Sequence, residues 1–165
     1  MIFKKIQLDI QFEIKKIVDL EEGKDIFEKG DWVVEGYATT LSRNANGCRF
    51  TEEALQQVAD GFEDYTTLLF NHDDNKPIGK IVSAKNDGEG VWIKAVISKT
   101  EKDVWEKCQD GTLSKFSIAY DAMTRIVSDE QGPLEEIVSA FVYEASLVPV
   151  PGQHKAEAVL TYVYK

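Results

Sequence analysis

The sequence predicts a mainly β domain of the α+β class, its strands forming an antiparallel, closed or nearly closed β-barrel flanked by two or more short helices. Three observations lead there. Period-two or β-branched segments recur about eight times along the chain, whereas only two short segments carry helical spacing. The strands mostly follow one another, without the strand–helix alternation of a parallel α/β sheet. No Pro- or Ser-rich linker and no internal repeat divides the 165 residues, so residues 1–165 are read as a single domain. A chain of this length buries roughly 70% of the surface its unfolded form exposes, enough for a core of its own.

Ile6, Leu8, Ile10, Phe12 and Ile14 alternate with Gln7, Asp9, Gln11 and Glu13, which is a strand with one buried and one wet face. An acidic connection leads to a second strand, Trp32 to about Thr40, and "SRNANG" supplies a turn. Thr51 caps a helix whose first turn carries Glu52 and Glu53, and Leu55, Val58, Ala59 and Phe62 fall on one helical face. "TTLLFNHDDNKPIGKIVSAK" reads as strand, polar turn, strand, and "GVWIKAVIS" as another strand. A second helix is expected to be capped by Thr100, with Asp103 three residues on, and closed by Gly111. "LSKFSIAYDAMTRIV", "EEIVSAFVYEASLV" and "AVLTYVY" complete the strands.

Composition narrows the function classes. Nineteen Lys and Arg stand against 29 Asp and Glu, a formal net charge of −10, so the chain as a whole repels phosphate backbones and anionic membranes. No segment approaches the ~20 apolar residues of a membrane span, and the charged N-terminus is unlike a signal peptide. Cys48 and Cys108 have neither the CxxC spacing nor the neighbouring histidines of a metal cluster, and they read as two thiols of a reducing compartment. The expectation is a soluble, cytosolic protein.

Few residues could carry chemistry. His72 ends an apolar strand beside Asp73 and Asp74, where it reads as a solvated turn histidine or as a partner of the carboxylates in a metal site. His154, in "PVPGQHKAE", reads as a loop residue. Alternation places Ser117 on one face with Lys115 and Ala119, and Phe116, Ile118 and Tyr120 on the other, an anchored hydroxyl that also describes many ordinary strand serines. Glu144 is expected to share a face with Val142, Ser146 and Val148, a carboxylate where an apolar residue is usual. Such a group is costly to bury unless paired, for instance with an imidazole.

In order and spacing, "LLFNHDDNKPIGKI", "GTLSKFSIAY" and "YEASLVPVPGQHKAEAV" resemble the prohead (capsid maturation) serine proteases of tailed bacteriophages. That family has His-Asp at a strand end before Pro-Ile-Gly, then Gly-x-Leu-x-x-x-Ser-Ile-Gly-Phe/Tyr, then Glu-x-Ser-Leu-Val-Pro-x-Pro. "SRNANGCRFTEEAL" is similar to its turn and helix ahead of the histidine strand, and the likeness runs from about residue 34 to 159. Residues 1–30, an extra strand and connection, lie outside it.

The resemblance implies a fold similar to the herpesvirus assemblins and a serine endopeptidase that processes phage scaffolding and major capsid proteins. It maps the nucleophile to Ser117, the general base to His72 and the third member to Glu144. His154 is the alternative third member, because the assemblins use a second histidine; however, it falls where the family has a turn proline. No metal or cofactor is implied. The setting would be the host bacterial cytoplasm, within the phage procapsid, with a homodimer or higher oligomer expected and no nucleic-acid or membrane partner. One departure stands out: Ala119 replaces the glycine after Ser-Ile. The alternative function is a non-catalytic head-assembly module with the same fold.

Overall fold

The computed structural model describes residues 2–14, 30–43, 47–149, 159–161 and 163–164, which form ten strands and two helices. β1 (Ile2–Ile14) is the alternating N-terminal segment and β2 (Trp32–Thr40) the β-branched run after it. β3 (Cys48–Phe50) goes unannounced in the sequence, since three residues are too few to show a period. α1 (Glu52–Asp64) starts where expected: the Thr51 hydroxyl accepts a hydrogen bond from the Ala54 N–H at 3.2 Å. β4 (Thr67–Phe70), β5 (Asp73–Asn86) and β6 (Gly90–Ile97) follow. α2 (Lys102–Gln109) begins one residue later than the Thr100 cap predicts. Glu101 is its N-cap and makes no side-chain capping bond, while the Thr100 hydroxyl bonds Ser98 at 2.9 Å. Gly111, at φ 81°, closes the helix as expected. The long strands β7 (Leu113–Asp129) and β8 (Gly132–Pro149) form a hairpin, and β9 (Val159–Thr161) and β10 (Val163–Tyr164) end the chain's described structure.

These strands make one sheet in the order β10-β2-β6-β5-β4-β8-β7-β1-β9, with β3 also on β8. The sheet is mixed and open, and in this it departs from the predicted closed antiparallel barrel. Three pairings are parallel: β3 with β8, β4 with β8, and β1 with β9. The reason is a helical crossover. One edge of β8 is taken by β7, and the other receives β3 at residues 135–137 and β4 at 145–147, joined through α1. A strand that returns by way of a helix can run in the same direction, which a tight hairpin forbids. β9 and β10 sit at opposite ends of the sheet order yet are one residue apart in sequence, so the sheet must curl to bring its ends together. No ladder among the described residues joins them.

Both helices contribute to the core. Leu55, Val58 and Phe62 of α1 and Val104, Trp105 and Cys108 of α2 pack with Phe116, Ile118 and Tyr120 of β7 and with Ile137, Ala145 and Leu147 of β8. Trp105 stacks on Trp32 of β2 with ring centroids 5.5 Å apart. Neither cysteine is in a disulfide; both thiols are buried, and burial pushes Cys108 up to about 12. No described helix is long and apolar enough to cross a membrane.

The glycine of the Pro-Ile-Gly segment has a steric reason. A Cβ on Gly79 would lie 2.3 Å from the Val96 carbonyl oxygen and 3.2 Å from Ile97 Cα, both backbone atoms of the neighbouring strand. Gly79→Ala is therefore expected to destabilise by about 1–3 kcal/mol, read as a lowered thermal midpoint. A midpoint equal to that of the unmodified chain would show that β5 and β6 can part at no cost.

Candidate active site

The β7–β8 hairpin sets the two faces. Ser117 lies opposite Ser146, Ile118 opposite Ala145 and Ala119 opposite Glu144, after which the register slips and Tyr120 faces Val142. The slip makes Tyr143 an extra residue on β8, a bulge that turns the strand over. Its consequence corrects the simple alternation. Val142 packs in the core beside Tyr120, whereas Glu144, Ser146 and Val148 share the opposite, also buried, face with Ser117, Ala119 and Lys115. The expected split of Phe116, Ile118 and Tyr120 from Ser117 holds.

His72 reaches this face from a two-residue hairpin turn. Phe70 pairs with Asp73, and the two residues between them, Asn71 and His72, have φ of 49° and 59°. Positive φ at both central positions is what a type I′ turn requires; it is uncommon outside glycine, although Asn and His adopt it more readily than most, and it costs an L-residue on the order of 1–2 kcal/mol. Strain of this kind collects at functional positions. The turn is tied to β8 by the Asn71 N–H, which donates to the Leu147 carbonyl at 2.9 Å, and by the His72 N–H, which donates to Ser146 Oγ at 3.0 Å.

The ring then meets a carboxylate: His72 Nδ1 bonds Glu144 Oε1, and the Ser146 hydroxyl also donates to Glu144 Oε1 at 3.3 Å. Glu144 is buried and His72 half-buried, so the costly carboxylate has the imidazole partner that its position demands. Tyr65, just past α1, lies within the field of this carboxylate. Burial pushes its phenol up, and the charges of Glu144 and Asp74 push it further, so it stays protonated.

The structure thus brings two of the three expected residues into contact. Ser117 stands one strand away on the same face, fully buried, and its hydroxyl makes no hydrogen bond, so no bond to His72 is formed in this state. His154 lies outside the described residues. Asp73 turns away from the ring, its carboxylate accepting from the Asn75 N–H at 2.9 Å and pairing with Lys76 at 3.8 Å. Ala119 has no positive φ, so the backbone here does not need the freedom of glycine. Among the described residues, no three His, Cys, Asp or Glu side chains converge as a metal site would need. Sequence reasoning left Ser146 as a mere neighbour of Glu144; its contact with the His72 turn depends on the β4–β8 pairing, which no local pattern announces.

Comparison with known proteins places this geometry in context. The profile of the caudovirus prohead serine proteases matches residues 19–163, a span that includes His72, Ser117, Glu144 and His154. The prohead protease of Escherichia phage T5 is 26% identical over 122 residues, covering 72% of this chain and 57% of that protein; the chain therefore spans just over half the length of this relative. Among solved structures, the capsid assembly protease of bacteriophage T4 has the same fold, with a TM-score of 0.66 at 13% identity over 90% of this chain and 99% of that one. A KSHV protease is a looser likeness, at a TM-score of 0.36 and 13% identity over 72% of this chain and 59% of its own.

Proposed function

Since the chain belongs to the caudovirus prohead serine protease family, we propose that it is a serine endopeptidase of phage head maturation, with Ser117 as nucleophile, His72 as general base and Glu144 as the orienting carboxylate. The observation that supports this most is the His72 Nδ1–Glu144 bond, made on the sheet face that carries Ser117. A carboxylate only accepts, so Nδ1 holds the proton and Nε2 keeps a lone pair for base catalysis. Nε2 would take the Ser117 proton as Oγ attacks a peptide carbonyl, and return it to the leaving amine. Glu144 would stabilise the intervening imidazolium, and water would then release the acyl group by the same route. Backbone N–H groups are the fitting oxyanion donors. Arg125 is held elsewhere, its guanidinium 2.5 Å and 2.7 Å from one oxygen of Glu136.

Because Ser117 is fully buried and its hydroxyl unbonded here, this face would open and His72 Nε2 come within hydrogen-bond reach of Ser117 Oγ before a substrate reacts. The substrates would be scaffolding protein and extensions of the major capsid protein inside the procapsid, in the host cytoplasm. Net charge of −10 fits a component that does not hold the DNA destined for the same shell.

The buried, unbonded Ser117 also favours a second reading, a head-assembly module that performs no cleavage. Co-expression with the neighbouring head proteins separates the two. The protease reading expects scaffold and capsid processing with the wild-type chain and none with Ser117→Ala; equal processing, or equal assembly without any, supports the module.

A further inference from the structure

We propose that Ser146 is a positioning residue for the His72–Glu144 pair, an inference that rests on the protease reading of those residues. Its hydroxyl is fully buried and stands opposite Ser117 on β8. It accepts from the His72 N–H at 3.0 Å and donates to Glu144 Oε1 at 3.3 Å. One hydroxyl can do both at once, having one proton to give and two lone pairs to accept. The β4–β8 ladder ends with the Asn71 N–H on the Leu147 carbonyl, so at His72 this side chain takes over from the main chain in holding the turn.

What it holds is strained. Asn71 and His72 both sit at positive φ, a conformation uncommon outside glycine that the contacts around the turn help to hold. The N–H bond fixes the backbone from which the imidazole projects, and the O–H bond fixes the carboxylate that meets Nδ1. Ser146 thereby sets both ends of the His72–Glu144 contact from a strand position directly across from the nucleophile. Loss of the hydroxyl lets the turn and the carboxylate move independently, and a misplacement of about 1 Å at a reacting group can cost on the order of 10²-fold in rate.

The test compares Ser146→Val with Ser146→Thr in the full chain. The two introduced side chains have the same shape and differ by the hydroxyl, so any overpacking at this buried site is common to both. Two readouts are taken: kcat and KM on a peptide spanning a head-protein cleavage site, and the downfield imidazole N–H proton resonance of His72, assigned by its loss in His72→Gln. Ser146→Val is expected to lower kcat about 10²-fold with little change in KM and to abolish the resonance. Ser146→Thr is expected to recover most of the rate and the resonance. Equal losses in both variants, or wild-type kcat and an intact resonance in Ser146→Val, overturn the proposal. If the wild-type chain cleaves nothing, yet the resonance vanishes in Ser146→Val and persists in Ser146→Thr, the positioning role stands and the protease reading falls.

Discussion

Ser117→Ala is expected to lower turnover at least ~10³-fold while leaving the fold's stability within about 1 kcal/mol of the wild type. The two halves of that expectation come from the same observation. The Ser117 hydroxyl is buried and makes no hydrogen bond, so removing it breaks no bond and relieves an unsatisfied polar group. A residue with no structural work for its one polar atom is a poor choice for a core strand unless that atom is used in another state. Steady-state cleavage of a peptide substrate, run beside thermal melting of both proteins, checks the pair. Turnover that persists in a folded Ser117→Ala protein removes Ser117 from the mechanism.

Glu144→Gln is expected to lower kcat by about 10²–10⁴-fold. The carboxylate accepts from Nδ1 and would balance the charge that appears on the imidazole when it takes a proton. An amide of the same shape can present its NH₂ group to the ring instead, which favours the tautomer with the proton on Nε2 and spoils the base. Glu144→Asp keeps the charge but shortens the side chain, and it should fall between. The pattern to look for is a kcat effect with KM little changed, since Glu144 acts on the base and not on the substrate. A Glu144→Gln enzyme with wild-type kcat would return the third position to His154 or to no residue at all.

Much of this was legible where the physics is local. Thr51 and the acidic residues after it announced α1, and period-two alternation announced β1 and the separation of Ser117 from Phe116 and Ile118. One failure is local and the rest are not. α2 starts at Lys102 because the Thr100 hydroxyl is engaged with Ser98 and leaves the capping position to Glu101. Alternation misplaced Val142 because a bulge at Tyr143, visible only in the register with β7, shifts the phase of β8. The parallel pairings that keep the sheet from being an antiparallel barrel depend on where α1 delivers β4, and a list of strands in order does not encode that.

The site divides in the same way. His72 and Glu144 stood out as chemically unusual residues, and their order matched a family pattern, but their contact requires β4 to lie beside β8. The left-handed turn has a faint local signal in Asn71, a residue that tolerates positive φ. Nothing local marks Ser146.

Covalent labelling shows whether Ser117 is a nucleophile activated by His72. The full chain, taken from maturing proheads, is treated with an electrophilic fluorophosphonate, and the modified residue is located by mass spectrometry of its peptides. One adduct is expected, on Ser117, formed in the wild-type protein and lost in both His72→Ala and Ser117→Ala. Cleavage of head proteins by a chain whose Ser117 stays unlabelled, or a label on a different residue, would contradict that role for Ser117.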